Sequence, residues 1–323
     1  MNLLEVSGLT KRQGSTLAVN KVSFTQKPLQ KIAIAGETGS GKSTLLKMIA
    51  GLIQPDEGEV IFENERVLGP EEKLLPGHPA IGYLSQHFEL RNNYRVEEIL
   101  SMSLKLSEEE AEVIYEVCRI NHLLKRRTDQ LSGGEKQRIA TARLLISTPK
   151  LILLDEPFSN LDMVHKSILK EVIRDIVERL NITCILISHD PVDLLSWADE
   201  IIVMKDAEII QQGSPLQIYR QPGNEYTAAL FGKYNLLSPS LLQAYSDQSG
   251  IKLNEGNTFI RPENFKLVTS EKEALRGVVQ EVNFLGNTFE VMIQVKEEMI
   301  TLKTEKENIV KGDIVFVALS NIQ

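Results

Sequence analysis

The sequence has little cysteine, no long apolar run and no excess of basic residues. Cys118 and Cys184 lie far apart and form no Cys-x-x-Cys pair, which fits a reducing compartment and argues against a disulfide scaffold. No apolar run approaches the ~20 residues that span a bilayer, and residues 1–6 lack the features of a signal peptide. We therefore expect a cytoplasmic protein whose role at a membrane would depend on a partner.

The charge balance argues against one class of partner. The formal net charge is −8 at pH 7, whereas sequence-independent nucleic-acid binding needs basic side chains that displace counterions from phosphates. The hydrophobic content of 42% and the charged content of 25% are typical of a soluble globular protein. A chain of 323 residues is long enough for one large domain and one small domain.

A glycine-rich segment follows the apolar run 31–35 and precedes a helical pattern that starts at Leu45. Its residues are Gly36, Glu37, Thr38, Gly39, Ser40, Gly41, Lys42, Ser43 and Thr44. Glycines let consecutive backbone N–H groups curl around an anion, and the helix start adds unpaired N–H groups. Lys42 is expected to reach the β- and γ-phosphates of a nucleoside triphosphate, and the Ser43 hydroxyl to hold Mg²⁺.

Two adjacent carboxylates follow the apolar strand 151–154. Neighbouring residues at a strand end point in different directions, so Asp155 and Glu156 can serve different roles. We expect Asp155 to reach Mg²⁺ and Glu156 to act as the general base for the attacking water.

A second glycine-bearing helix start lies at residues 131–137, and a helical pattern follows it to Ile146. A serine hydroxyl and bare backbone N–H groups at a helix N-terminus form another anion site. The residues expected to contact phosphate here are Ser132, Gly133, Gly134 and Glu135. Two phosphate-binding elements in one chain suggest that each nucleotide is bound by two chains.

Strand and helix patterns alternate over residues 1–232, which predicts an α/β domain with a parallel sheet. Strands are expected at 3–6, 19–25, 59–62, 80–84 and 184–187, helical structure from about 96 to 146, and an amphipathic helix over 161–180. The apolar stripe of that helix is expected to contain Val164, Ile168, Val172, Ile176 and Leu180. Residues 233–323 contain short strand patterns and turn signals, such as 254–257, and predict a second, all-β domain.

These motifs together resemble those of the ATP-binding subunit of an ABC transporter. Residues 36–44 are similar to the Walker A motif of that family, 151–156 to Walker B with its glutamate, and 131–137 to the signature motif. The segment 159–162, which ends at Asp162, resembles the D-loop. The resemblance implies a P-loop NTPase fold with a RecA-like core, a helical subdomain at about 87–147 and a small C-terminal β-barrel.

The resemblance also implies a site built by two chains. Two subunits would face each other across a two-fold axis, with each ATP between Walker A of one chain and the signature of the other. Gln86 matches the Q-loop glutamine, expected near the metal and linked to the helical subdomain, and His189 matches the switch histidine that contacts the γ-phosphate. The remaining histidines are interpreted as ordinary surface or core residues: His78, His87, His122 and His165.

One position departs from the family pattern. Family members usually carry an aromatic residue that stacks on adenine, and the matching position here is Gln13. An amide plane can lie on a purine but lacks an aromatic face. We therefore expect weaker or less base-selective nucleotide binding.

The C-terminal segments 259–264 and 277–286, and the segment 212–222 before them, resemble the TOBE-type domain of bacterial import ATPases. That group imports polyamines, ferric iron, sulfate, molybdate or sugars. The resemblance implies an ATPase motor at the cytoplasmic face of the inner membrane, as a homodimer or beside a paralogue, bound to a permease and served by a solute-binding protein. The alternatives are an export ATPase, which shares every ATP-site motif, and a soluble ABC ATPase acting on nucleic acid or ribosomes.

Overall fold

The computed structural model describes residues 1–86, 90–102, 106–159, 161–249 and 259–320. The chain forms two compact units, residues 1–215 and 216–323. The boundary expected at residue 232 therefore lies inside the second unit. Asn160 of the expected D-loop, His87 and the expected turn at 254–257 lie outside the described residues.

The first unit contains a strand-rich N-terminal half and alternating helices and strands after it. Its strands are β1 (Leu4–Gln13), β2 (Thr16–Gln26), β3 (Lys31–Ala35), β4 (Glu57–Phe62), β5 (Glu65–Arg66), β6 (Ile81–Leu84), β7 (Leu151–Asp155), β8 (Thr183–Ile187), β9 (Glu200–Lys205) and β10 (Glu208–Gly213). Its helices are α1 (Lys42–Ile49), α2 (Val96–Ser101), α3 (Glu108–Val117), α4 (Gly133–Leu145), α5 (Met163–Leu180) and α6 (Pro191–Leu195).

A six-stranded sheet in the order β10-β9-β3-β8-β7-β6 carries the nucleotide motifs. Its strands are parallel except for β10, which pairs antiparallel with β9. Every residue of β7 and β8 is buried. Strands covered on both faces need continuous apolar runs, and this explains why these two segments do not alternate. The predicted α/β class is confirmed.

A second, antiparallel sheet in the order β2-β1-β4-β5 was not expected. The sequence predicts strands in the segments of β1, β2 and β4, but not β5. It does not predict their pairing, because β1 pairs with β4 across about fifty residues of sequence. Apolar side chains of β1, β2 and β4 form one core cluster with those of β3 and α1. The phosphate-loop helix is thereby packed between two sheets.

The predicted helical region from 96 to 146 contains α2, α3 and α4, and two short 3₁₀ turns lie between α3 and α4. Helix α3 begins with the expected capping box, in which Ser107 Oγ accepts the Glu110 N–H at 3.3 Å and the Glu110 carboxylate accepts the Ser107 N–H at 2.9 Å. In the described part of the chain, no helix combines the length and apolar character needed to cross a bilayer.

Helix α5 begins at Met163, with Asp162 as its N-cap. Its buried stripe consists of Leu169, Val172, Ile173, Ile176 and Val177. The prediction that Val164 belongs to this stripe is wrong, because Val164 is 67% exposed. Apolar periodicity shows which face of a helix is buried. It does not show how far along the helix the packing against neighbouring elements extends.

The second unit combines an antiparallel sheet with helices that were not expected. Its elements are α7 (Pro215–Arg220, which starts at the boundary), α8 (Glu225–Leu230), β11 (Asn235–Leu236), α9 (Pro239–Ser249), β12 (Phe259–Ile260), β13 (Phe265–Val268), β14 (Leu275–Phe284), β15 (Phe289–Val295), β16 (Glu298–Thr304) and β17 (Ile314–Leu319). The five-stranded sheet has the order β13-β17-β14-β15-β16. Leu241 and Tyr245 of α9 lie in its core cluster. Within the segment 233–323 that is predicted to be all-β, residues 239–249 are therefore helical instead.

Arg261 joins the helices of the second unit to its strands. Its guanidinium donates to the backbone oxygens of Ala228, Gly232 and Lys233 at 2.8 to 3.1 Å. It also stacks on the ring of Tyr219, with 4.3 Å between Arg261 Cζ and the ring centroid. The side chain is only 3% exposed. This explains why residues 216–232 belong with the C-terminal unit.

We expect Arg261→Lys to destabilise the second unit by about 2–4 kcal/mol, because an ammonium cannot reach all these carbonyls and buried acceptors lose their donors. Urea unfolding followed by circular dichroism measures the change. Arg276→Lys, an exposed position on β14, is the matched control and should change the free energy of unfolding by less than about 0.5 kcal/mol. Equal effects of the two substitutions would contradict the role assigned to Arg261.

Candidate nucleotide site

The phosphate loop connects β3 to α1, and close packing requires glycine at two of its positions. Gly41 has a φ of 96°, and a Cβ at this position would lie 2.0 Å from the Ala18 carbonyl oxygen. At Gly36 a Cβ would lie 2.3 Å from the Met204 carbonyl oxygen. Any side chain at either position would push the loop away from the strands beside it.

The Lys42 ammonium lies inside this loop. It donates to the backbone oxygens of Gly36 at 2.8 Å and Glu37 at 2.7 Å, and to Ser40 Oγ at 3.2 Å. Burial lowers the pKa of Lys42, and the nearby carboxylates of Glu156, Asp155 and Glu37 oppose that effect. The loop therefore holds a desolvated cation at the place where the sequence predicts a triphosphate.

Asp155 connects the loop to the Walker B strand. Ser43 Oγ donates to Asp155 Oδ1 at 2.9 Å, and the Tyr83 hydroxyl donates to Asp155 Oδ2 at 2.7 Å. Asp155 is only 4% exposed. Burial, followed by the hydrogen bond to Asp155, raises the pKa of Tyr83. Both oxygens of a buried carboxylate are thus fixed by hydroxyl donors.

Glu156 lies between the two residues that the sequence predicts to act with it. Its carboxylate Oε2 accepts from Gln86 Nε2 at 3.3 Å and lies 3.4 Å from His189 Nδ1. Strand register explains this meeting, since Leu84 pairs with Leu154 on one side of β7 and Asp155 pairs with Ile187 on the other. Gln86 and His189 each follow one of these neighbouring strands within two residues.

Backbone geometry separates the two adjacent carboxylates. Glu156 has a φ of 49°, a left-handed conformation that is uncommon outside glycine. Its N–H donates to the Ile187 oxygen at 3.1 Å, which holds the turn. Residues kept in this region cost of order 1 kcal/mol or more and concentrate at functional sites. With this turn, Asp155 contacts Ser43 and Tyr83, whereas Glu156 contacts Gln86 and His189.

A cavity of 250 Å³ opens beside these groups. Its lining contains Gln13, Ala18, Thr38, Gly39, Gly41, Lys42, Ser43, Thr44, Gln86 and Glu156. Gln13, the last residue of β1, is thus brought to the phosphate loop although it lies 23 positions before Gly36 in the sequence.

The signature residues lie elsewhere in the same chain. Ser132 caps α4, with its Oγ accepting the Glu135 N–H at 3.2 Å while the Glu135 carboxylate accepts the Ser132 N–H at 2.8 Å. Within the described residues, none of the four predicted signature residues lines the cavity around Lys42. That a second chain supplies the signature motif to a nucleotide in this cavity stays a prediction.

Two contributors to this region were missed by the sequence analysis. Tyr83 was not singled out, although a phenol in a buried strand three residues before Gln86 is a usable signal. His165 was interpreted as an ordinary residue, yet its Nε2 lies 3.4 Å from Ser132 Oγ and its Nδ1 2.7 Å from Asp162 Oδ2. The carboxylate of Asp162 also accepts the His165 backbone N–H, and these two bonds lower the pKa of Asp162.

A buried ion cluster supports the segment around His189. Asp193 is 1% exposed, with Lys170 Nζ at 2.6 Å and Lys166 Nζ at 3.0 Å from its carboxylate. Lys166 also pairs with Asp190, and Ser188 Oγ donates to Asp193 at 3.1 Å. Residues on both sides of His189 are therefore tied to α5, the helix that Asp162 caps.

The donors around Asp155 fit a magnesium ion better than a protein-caged metal. Within the described ranges, no group of three or more His, Cys, Asp or Glu side chains could hold a metal by itself. Ser43 and Asp155 offer a hydroxyl and a carboxylate oxygen beside the phosphate loop, and Gln86 offers an amide oxygen nearby. Mg²⁺ prefers such oxygen ligands, and typically takes one or two from the protein and the others from phosphate and water.

Comparison with known proteins identifies the family. The family model for ABC transporters matches residues 19–159, and the model for the TOBE domain matches residues 258–320. A spermidine/putrescine import ATP-binding protein, PotA of Clostridium acetobutylicum, is 31% identical over 313 residues, which cover 91% of this chain and 88% of PotA. The chain belongs to the ABC transporter family. The predicted family, with its TOBE domain, is confirmed.

Other relatives are also import ATP-binding proteins. An Fe(3+) ions import ATP-binding protein, FbpC of Pseudomonas fluorescens, is 33% identical and covers 91% of this chain and 88% of its own. A sulfate/thiosulfate import ATP-binding protein, CysA of Mesostigma viride, is 31% identical, with coverage of 92% and 88%.

Solved structures resemble the ABC part of the chain. The structure of cbiO1 from Clostridium perfringens, part of the ABC transporter complex cbiONQ, has a TM-score of 0.59 at 28% identity and covers 67% of this chain and 90% of its own. The dimeric post-hydrolysis state of the ATP-binding cassette MJ0796, bound to ADP and Pi, has a TM-score of 0.57 at 27% identity, with coverage of 66% and 98%. The predicted P-loop NTPase fold is confirmed, and the family binds ATP.

We expect Gln13→Tyr to raise ATP affinity about fivefold, because an aromatic ring on a nucleobase is worth roughly 1–3 kcal/mol and an amide lacks that face. Equilibrium titration with ATP and with GTP measures the gain and the base selectivity. Gln13→Leu is the matched control, since it adds apolar surface without a ring. No gain in ATP affinity with tyrosine, or an equal gain with leucine, would contradict a stacking position at residue 13.

Proposed function

We propose that this chain is the ATP-hydrolysing motor of a bacterial import system and that two chains close on two ATP molecules. The observation that carries the proposal is the cavity lined by Lys42, Ser43 and Glu156. Asp155 is hydrogen-bonded to Ser43, and Gln86 and His189 both contact the Glu156 carboxylate. The relatives described above are import ATP-binding proteins, and this chain matches each of them over 88% of its length. Import therefore takes precedence over the export and nucleic-acid alternatives.

In this mechanism Glu156 is the general base. Its carboxylate would take a proton from the water that attacks the γ-phosphorus, while the bond from that phosphorus to the β–γ bridging oxygen breaks and ADP leaves. Gln86 and His189, which already contact the Glu156 carboxylate, would orient it, and His189 would also meet the γ-phosphate. Lys42 would stabilise the charge on the β- and γ-phosphates.

Ser43 and Asp155 are the residues proposed to hold Mg²⁺, with Gln86 beside them. When bound, the ion would neutralise developing phosphate charge. Tyr83 would keep the Asp155 carboxylate in place, because it donates to the oxygen that Ser43 does not use.

The second chain would contribute Ser132 and the start of α4. ATP would favour the closed dimer because its γ-phosphate offers the anion that both glycine-bearing helix starts require. Both a homodimer and a dimer with a paralogue satisfy this geometry.

The proposed place of the chain is the cytoplasmic face of the inner membrane, bound to a permease that receives its substrate from a solute-binding protein. Polyamine, ferric iron and sulfate systems are the import classes among the relatives described above. The permease and the binding protein would select the substrate, since the site in this chain recognises only the nucleotide.

We expect Glu156→Gln to lower the rate of ATP hydrolysis by about 10²–10⁴-fold, because glutamine cannot accept the proton from water. ATP binding should persist, and a stable ATP-bound dimer should accumulate in size-exclusion chromatography with light scattering. Glu178→Gln, an exposed position on α5, is the control and should hydrolyse ATP at the unaltered rate. Normal turnover in Glu156→Gln would overturn the role of Glu156.

A further inference from the structure

The signature helix start, residues 132–135, meets the D-loop of its own chain through one side chain. His165 lies in the first turn of α5, and its two ring nitrogens reach in opposite directions. Nδ1 lies 2.7 Å from Asp162 Oδ2, and Nε2 lies 3.4 Å from Ser132 Oγ. His165 therefore bridges two motifs that are 30 residues apart in sequence.

The chemistry of the partners assigns the protons on this bridge. An ionised carboxylate only accepts hydrogen bonds, so Nδ1 carries a proton and donates to Asp162. In the neutral imidazole, Nε2 is then an acceptor, and the Ser132 hydroxyl donates a hydrogen bond to it. The Ser132 oxygen still accepts the Glu135 N–H at 3.2 Å. The orientation of the Ser132 hydroxyl is thus set from both sides.

The imidazole ring of His165 is also closely packed against Gly134. A Cβ built on Gly134 would lie 2.6 Å from His165 Cδ2 and 2.9 Å from His165 Cγ. Gly134 thus allows the imidazole to lie directly against the backbone of the first turn of α4. His165 is only partly exposed, although Val164 and Met163 before it are among the most exposed apolar residues of the chain.

We propose that His165 is a positioning residue that fixes the signature helix start against the D-loop of the same chain. The proposal rests on the proposed function, in which Ser132 meets the γ-phosphate of the nucleotide held by the second chain. Without the bridge, the hydroxyl and the first turn of α4 would have to be ordered during closure, and that ordering opposes dimerisation and hydrolysis.

The first test compares substitutions at His165. His165→Phe keeps a ring against Gly134 and removes both hydrogen bonds, whereas His165→Asn keeps a donor near the position of Nδ1 that is too short to reach Ser132. We expect each to lower kcat about five- to tenfold with little change in the KM for ATP, since the cavity around Lys42 is untouched. His122→Phe, which alters an exposed histidine outside these motifs, should leave kcat unchanged. Wild-type kcat in either His165 variant would overturn the proposal.

A double-mutant comparison shows whether His165 acts through Ser132. In the Glu156→Gln background, the ATP concentration that half-saturates dimer formation is measured for His165→Phe, for Ser132→Ala and for the pair. If His165 acts through Ser132, the pair should need no more ATP than Ser132→Ala alone. Strictly additive effects would overturn the proposal, as would no effect of His165→Phe. Failure of Glu156→Gln itself to dimerise with ATP would instead contradict the proposed function, so the two failures are distinct.

Discussion

The hydrogen bond from Ser43 to Asp155 is the contact on which the rest of the site depends. It joins the phosphate loop after β3 to the end of β7, although β8 lies between these strands in the sheet. Because Asp155 is buried, its carboxylate is stable there only with good donors, and Tyr83 supplies the second. The loop and the Walker B strand are therefore held as one unit before any nucleotide is considered.

Strand register then determines what surrounds Glu156. The parallel pairings of β7 with β6 and β8 bring Gln86 and His189 to the same carboxylate oxygen of Glu156. The left-handed turn at Glu156 separates its carboxylate from that of Asp155. The groups proposed to activate water, to face the metal and to contact phosphate thus lie together at the carboxyl ends of these strands. This agrees with the rule that parallel sheets bind ligands beyond the carboxyl ends of their strands.

The sequence predicts the parts of the molecule whose chemistry is local. Three such parts are each recognisable from consecutive residues: the phosphate loop, the strand before Asp155 and the capped start of α4. Pairing over long distances could not be predicted, so the sheet of β1, β2, β4 and β5 and the attachment of α7 and α8 through Arg261 were missed. His165 was missed for a related reason, because a single histidine gains its meaning only from the residues that the fold places around it.

The central claim is that each nucleotide is bound between two chains. Mixing two inactive variants tests this claim most directly. Lys42→Ala impairs the phosphate loop and Ser132→Ala impairs the signature, so each alone should hydrolyse ATP poorly. In a mixed dimer, one site carries both defects and the other is intact. The account predicts that ATPase activity of the mixture exceeds that of either variant several-fold. A mixture whose activity equals the average of the two variants would contradict it.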